Sequence, residues 1–144
     1  MRGDDVSPRL TLLAESATRT ARTILWVDSL GGLFVGIIVL AFHSWFAEIE
    51  ALPVRVVLLM AVANIAYGAY SGSLAVRREL PRQRAITFLV AANLTWTVVC
   101  ALLLLRYGAT ATPFAWLHIG GEGLYVGVLA LVEWRKVRPH ARSR

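Results

Sequence analysis

Four stretches of the chain are each long and apolar enough to cross a bilayer as a helix, and little sequence remains between them. Hydrophobic residues make up 57% of the chain, above the ~45–50% apolar share of soluble domains. The sequence therefore predicts an all-α fold, an integral membrane four-helix bundle with antiparallel neighbouring helices. The predicted spans are about residues 24–42, 54–76, 85–105 and 114–132.

The connections between the spans differ in charge. The N-terminal flank, the loop Arg77–Arg84 and the tail after Trp134 are basic, whereas the connection His43–Pro53 holds two glutamates and no lysine or arginine. Cytoplasmic loops carry the excess of basic residues, which predicts that both termini are cytoplasmic and that the protein lies in a bacterial inner (plasma) membrane. The net charge of +6 then fits anionic lipid headgroups at the basic loop and tail, and not nucleic acid.

The two ends are predicted to flank one transmembrane domain, residues 24–134. Residues 1–23 form the cytoplasmic N-terminal segment. Ser7 and Pro8 have the pattern of a helix start, so this segment is either an interfacial helix that runs into the first span or a solvated tail. Residues 135–144 form a basic cytoplasmic tail. The start of the chain lacks the apolar core of a cleavable signal peptide, and the single cysteine, Cys100, excludes an intramolecular disulfide.

The fourth span carries a carboxylate, Glu122, near its middle. A charge at that depth is costly, so it usually has a partner or a function. The sequence predicts a polar cluster of Glu122, Asn64 and Asn93, each followed three residues later by an aromatic residue on the same helix face. We expect Asp28 to be a helix-start charge near the cytoplasmic interface. The candidate ligand- or ion-binding residues are Glu122, Asn64, Asn93, Tyr67, Trp96, Tyr125 and Asp28.

Three functions remain open for such a cluster. It either stabilises the bundle or binds a small ligand; an alternative is a proton- or cation-coupled small-molecule transporter that uses Glu122. A second alternative is a redox or quinone-associated subunit in which His43 and His118 are weak candidates for metal or haem ligands. No cofactor is expected. The chain lacks P-loop, GxSxG, HExxH and CxxC motifs and its loops are short, so an enzyme is not expected.

Glycines four residues apart occur three times in the apolar stretches. Small residues at this spacing lie on one helix face and let two helices approach closely in lipid. Because the sequences around the first and third pairs are nearly identical (GLFVG and GLYVG), we predict that the first span packs on the fourth. Self-association into a homo-oligomer is equally compatible with the pattern. The three glycine pairs are Gly32 and Gly36, Gly68 and Gly72, and Gly123 and Gly127.

Overall fold

A computed structural model describes residues 8–77, 79 and 81–141, with side chains from residue 15 onward. The described residues form an all-α fold of five helices. Four of them are long and apolar enough to span a membrane, which confirms the predicted fold at this level. The short α2 lies in the first connection and was not predicted. The helices are α1 (Pro8–Ala41), α2 (His43–Glu50), α3 (Val54–Ala75), α4 (Gln83–Tyr107) and α5 (Pro113–Val132).

Local sequence signals account for where several helices begin and end. α1 begins at Pro8 and runs without interruption to Ala41; Ser7 lies outside the described residues. α2 ends at Glu50 and is capped by Ala51, which adopts a left-handed backbone conformation (φ 54°) before α3 starts. Thr112 caps α5 by accepting a hydrogen bond from the Ala115 amide at 3.3 Å, with Pro113 as the first helical residue.

The helical backbone continues beyond Val132, the last residue of α5 and the predicted end of the fourth span. It passes into a π-helical turn, Glu133–Val137, and then a 3-10 turn, Arg138–His140. Val137 is 1% exposed, and the Arg138 guanidinium donates to the Thr87 hydroxyl at 3.2 Å. The first part of the predicted basic tail is therefore packed against the bundle.

The glycines of α1 and α3 face one another. A Cβ atom on Gly32 would lie 3.0 Å from the carbonyl oxygen of Asn64, and one on Gly68 would lie 2.6 Å from the backbone nitrogen of Leu33. These atoms belong to the backbone, so α1 and α3 reach this separation only because both positions are glycine. The predicted packing of the first span on the fourth through their glycines is wrong, since Gly32 and Gly36 face α3.

α4 packs along α5 in a second tight pair. A Cβ atom on Gly123 would lie 2.9 Å from the Cys100 side chain, and one on Gly127 would lie 3.2 Å from the Thr97 hydroxyl. The bundle thus consists of two closely packed helix pairs, α1 with α3 and α4 with α5. Tyrosine hydroxyls join the pairs: Tyr67 donates to the Leu89 carbonyl at 3.2 Å and Tyr125 to the Val27 carbonyl at 3.3 Å.

The outer surface of the long helices is apolar. In the most apolar window of each candidate span, only 22% to 39% of the residues are buried inside the protein, so most residues there are at least partly exposed. An exposed apolar surface of this extent is typical of a protein that contacts lipid or another apolar partner. Exposed examples on the four helices are Phe34, Ile37, Leu59, Val62, Val98, Leu105, Leu117 and Leu124.

Candidate functional site

Two other helices hold the Glu122 carboxylate in one orientation. Its Oε1 atom accepts hydrogen bonds from the Asn64 side-chain amide of α3 at 2.6 Å and from the Trp96 indole N–H of α4 at 2.5 Å. Asn64 is fixed in turn, since its Nδ2 atom also donates to the Met60 carbonyl at 3.0 Å. The Glu122 side chain is only 6% exposed. The structure thus brings together three of the residues that the sequence singled out, Glu122, Asn64 and Trp96.

The other carboxylate oxygen of Glu122, Oε2, is buried and has no hydrogen-bond partner among the described residues. The Nε2 atom of His118, one turn earlier on α5, lies 3.8 Å from it. That distance is too long for a hydrogen bond. The Nδ1 atom of His118 lies 2.5 Å from Oε1 of Glu50. Glu50, His118 and Glu122 therefore form a carboxylate–imidazole–carboxylate series that ends at a free oxygen.

Sequence reasoning missed Glu50, because it treated His43–Pro53 as a loop with acidic residues. The side chain of Glu50 is completely buried at the end of α2. A signal was present: Glu50 follows Phe46 by four residues, so a short helix places both on one face. Phe46 is also buried, and its ring centroid lies 5.6 Å from that of His118.

A cavity of about 460 Å³ opens beside this series, between α1 and α5 with α3 as its floor. We call it the α1–α5 cavity. It is lined by Asp28, Gly32, Asn64, Tyr67, His118, Glu122 and Tyr125, among others. Two carboxyl groups, an imidazole and two phenol rings thus share one space. A second cavity, of about 340 Å³, has Asn93 and Trp96 in its walls, together with the same Asn64 and Tyr67.

Asn93 does not join Glu122 in the structure. Its side-chain amide donates to Oε2 of Glu133 at 3.0 Å. The expected cluster of three residues is therefore divided between two levels of the bundle. The reason is the position of Asn93 along α4: it precedes Trp96 by three residues, and this places it nearer the end of α5.

Asp28 belongs to this second level. The sequence suggested an interfacial charge at the start of a helix, but α1 begins twenty residues earlier, and Asp28 is 1% exposed inside the bundle. Its carboxyl group lies within hydrogen-bonding reach of the side chains of Glu133 and Ser71. The structure thus corrects the interpretation of Asp28 from a surface charge to a buried group.

Glu133 was also missed, although the spacing contained a signal. Glu133 follows Glu122 by eleven residues, close to three full helical turns, so both lie on one face of α5 about 16 Å apart. The predicted fourth span ends at about residue 132, so Glu133 fell just beyond it and was not considered as a site residue. In the structure it is completely buried.

The two candidate histidine ligands have different surroundings. The Nδ1 atom of His43 lies 2.9 Å from the Leu40 carbonyl oxygen of its own helical turn, whereas His118 contacts Glu50. Within the described part of the chain, no group of three or more His, Cys, Asp or Glu residues is arranged to hold a metal ion.

Comparison with known proteins adds no functional assignment. The chain matches no protein-family model, and no curated protein or solved structure is similar to it at a significant level. The functional interpretation therefore depends on the geometry of these buried groups.

Proposed function

We propose that this is an integral protein of a bacterial plasma membrane that binds a small organic cation at Glu122. Both termini are cytoplasmic in this proposal, and neighbouring spans are antiparallel. Four long apolar helices with outward-facing apolar side chains support the membrane location. The basic loop around Arg82 and the acidic first connection support the orientation.

The observation that carries the proposal is the free Oε2 atom of Glu122 in the wall of the α1–α5 cavity. Asn64 and Trp96 occupy Oε1 and prevent the carboxylate from turning to satisfy both oxygens within the protein. A buried polar atom without a partner costs free energy. A ligand with a positive charge in the cavity would remove that cost at Oε2.

The charge balance of the site favours a single positive charge. With protons on both ring nitrogens of His118, the series Glu50, His118 and Glu122 carries one net negative charge. An uncompensated charge in a low-dielectric interior is costly, so one further cation or proton stabilises the site. A ligand that carries one positive charge therefore balances the charge of the site.

The remaining walls of the cavity indicate what the cation carries. Tyr67 and Tyr125 line the cavity beside the carboxylate. Aromatic faces attract ammonium groups, most strongly where water is excluded. Most of the lining is apolar, including Val35, Leu117 and Val126. This combination favours an ammonium group attached to an aromatic or aliphatic body.

A matched pair of ligands tests this proposal: phenyltrimethylammonium and its uncharged isostere tert-butylbenzene. Ligand that binds the folded protein raises the melting temperature by mass action. We expect the ammonium to raise the melting temperature in nanodiscs, the isostere to have little effect, and Glu122→Gln to lose the ammonium effect. Glu48→Gln on the exposed face of α2 is the control and should behave as the wild type. Equal stabilisation by both ligands would contradict the proposal.

Proton-coupled transport is a second candidate function. The observation that favours it is the division of the bundle into two helix pairs with the cavity between them. Rigid pairs that move against one another around a fixed site are a known basis for alternating access. Proteoliposomes with an imposed pH gradient should then accumulate phenyltrimethylammonium, and Glu122→Gln should abolish accumulation. Binding without accumulation would limit the function to binding.

A further inference from the structure

Three buried side-chain oxygens without hydrogen-bond partners occur together on neighbouring residues at the level of Asp28. They are Asp28 Oδ2, Asn93 Oδ1 and Glu133 Oε1. All three residues are at most 1% exposed. Buried polar groups are normally paired, so three such atoms at one place indicate a missing positive charge or donor.

The contacts of Glu133 indicate where the missing donor would lie. Oε2 of Glu133 already accepts from Asn93 at 3.0 Å, and the Glu133 carboxyl group is within hydrogen-bonding reach of Asp28. Two ionised carboxylates only accept hydrogen bonds and repel each other. One carboxyl group can therefore bind the other only if a proton lies between them. A single proton held between the two carboxyl groups would supply the missing donor.

We propose that Asp28 and Glu133 form a proton-binding site, separate from Glu122, that holds one exchangeable proton between their carboxyl groups. Among the described residues, no group of three or more His, Cys, Asp or Glu side chains is arranged to hold a metal ion, so we assign the site to a proton. The groups that face the pair come from three helices: Tyr67 and Ser71 of α3, Asn93 of α4 and Tyr125 of α5. None of these four groups is a cation, so the proton supplies the positive charge at the site.

The surroundings of the pair allow the proton to exchange. Asp28 lines the α1–α5 cavity, whose opposite part contains Glu122 and His118. Glu133 begins the π-helical turn of the fourth span. Such wide turns within helices occur frequently at functional sites. The proton site therefore borders the same cavity as Glu122, about three turns further along α5.

Infrared spectroscopy of ligand-free protein in nanodiscs tests the site without reference to any ligand. A protonated carboxyl group has a C=O stretch that ionised carboxylates lack, and the band shifts when D₂O replaces H₂O. We expect the wild-type protein to show this band, and the Asp28→Asn/Glu133→Gln double variant to lose the intensity of one carboxyl group. The surface control Glu48→Gln should keep that intensity. Glu122→Gln removes any band of its own carboxyl group, and the component that the double variant loses should remain in its spectrum.

The single variant Asp28→Asn provides a second test in case the double variant does not fold. Its asparagine amide can donate a hydrogen bond to Glu133 and so replace the proton. It should fold, as shown by protection of Cys100 from thiol reagents, and should lack the band component. An unchanged spectrum in both variants would overturn the proposal. So would loss of the component when NaCl is added to protein in a buffer free of sodium and of organic cations, because a sodium ion would then occupy the site. Absence of an exchangeable component from the wild type would also overturn it, and none of these outcomes bears on ligand binding at Glu122.

Discussion

A methyl group added at Gly68 should force α1 and α3 apart. The Cβ atom of an alanine there would lie 2.6 Å from the Leu33 backbone nitrogen and 2.7 Å from the Ser29 carbonyl oxygen. Both atoms belong to the backbone of α1, so no side-chain rotation relieves the contact. Gly68→Ala is therefore expected to shift a whole helix, including Ser29, whose hydroxyl donates to the Gly68 carbonyl at 2.8 Å.

The magnitude follows from a comparison with Gly121. A Cβ atom at Gly121 would meet nothing within 4 Å, so Gly121→Ala adds the same methyl group in open space. Both substitutions gain about 1 kcal/mol of helix propensity at most, and that gain cancels in the comparison. Overpacking of a well-packed contact costs roughly 1–3 kcal/mol. Gly68→Ala should therefore be less stable than Gly121→Ala by about that amount.

Unfolding in bicelles by increasing mole fraction of SDS, followed by circular dichroism, measures this difference. The expected result is an earlier transition for Gly68→Ala and an unchanged or later transition for Gly121→Ala. Equal transitions for the two variants would refute the close packing of α1 on α3. They would also refute the role assigned to the glycines of this pair.

Three further predictions concern orientation, packing and the Glu122 site. A periplasmic reporter should be active when fused after Ala51 and inactive after Gln83; the reverse pattern would overturn the orientation. Cys100 is 1% exposed beneath Gly123 and should react with a maleimide only after denaturation, whereas labelling of the folded protein would contradict α4–α5 packing. Trp96→Phe removes one of two donors to Glu122 and should lower the free energy of unfolding in bicelles by roughly 0.5–2 kcal/mol; an unchanged value would argue against that hydrogen bond.

The four long helices were predictable because membrane spans are encoded by long apolar stretches, a signal that requires no knowledge of neighbouring helices. The start of α5 was predictable for the same reason, since Thr112 and Pro113 act locally. The choice of helix partners was not. Glycine pairs show which faces permit close approach, but the pattern at Gly32 does not specify its partner helix, which is α3 in the structure.

For the buried polar groups too, the sequence identified individual residues but only part of their contacts. Glu122 stood out because it interrupts an apolar stretch, and Asn64 was correctly predicted to lie beside it. Trp96 was named only as a candidate binding residue, and Asn93, the third predicted member of the cluster, contacts Glu133 instead. Glu50 and Glu133 were missed because each lies beside a span end, where acids are usually solvated. Their burial depends on α2 folding over one end of the bundle and on the π-helical turn at the other. Neither feature has a strong local sequence signal.

The central proposal is that an organic cation occupies the free oxygen of Glu122. The most direct test is the affinity for phenyltrimethylammonium in nanodiscs, measured for the wild type, Glu122→Gln and the surface control Glu48→Gln. The wild type and Glu48→Gln should bind the ammonium with equal affinity. Glu122→Gln should bind it about tenfold or more weakly, because the amide leaves no negative charge at that point of the cavity wall. A Glu122→Gln variant that binds as tightly as the wild type would contradict the proposal.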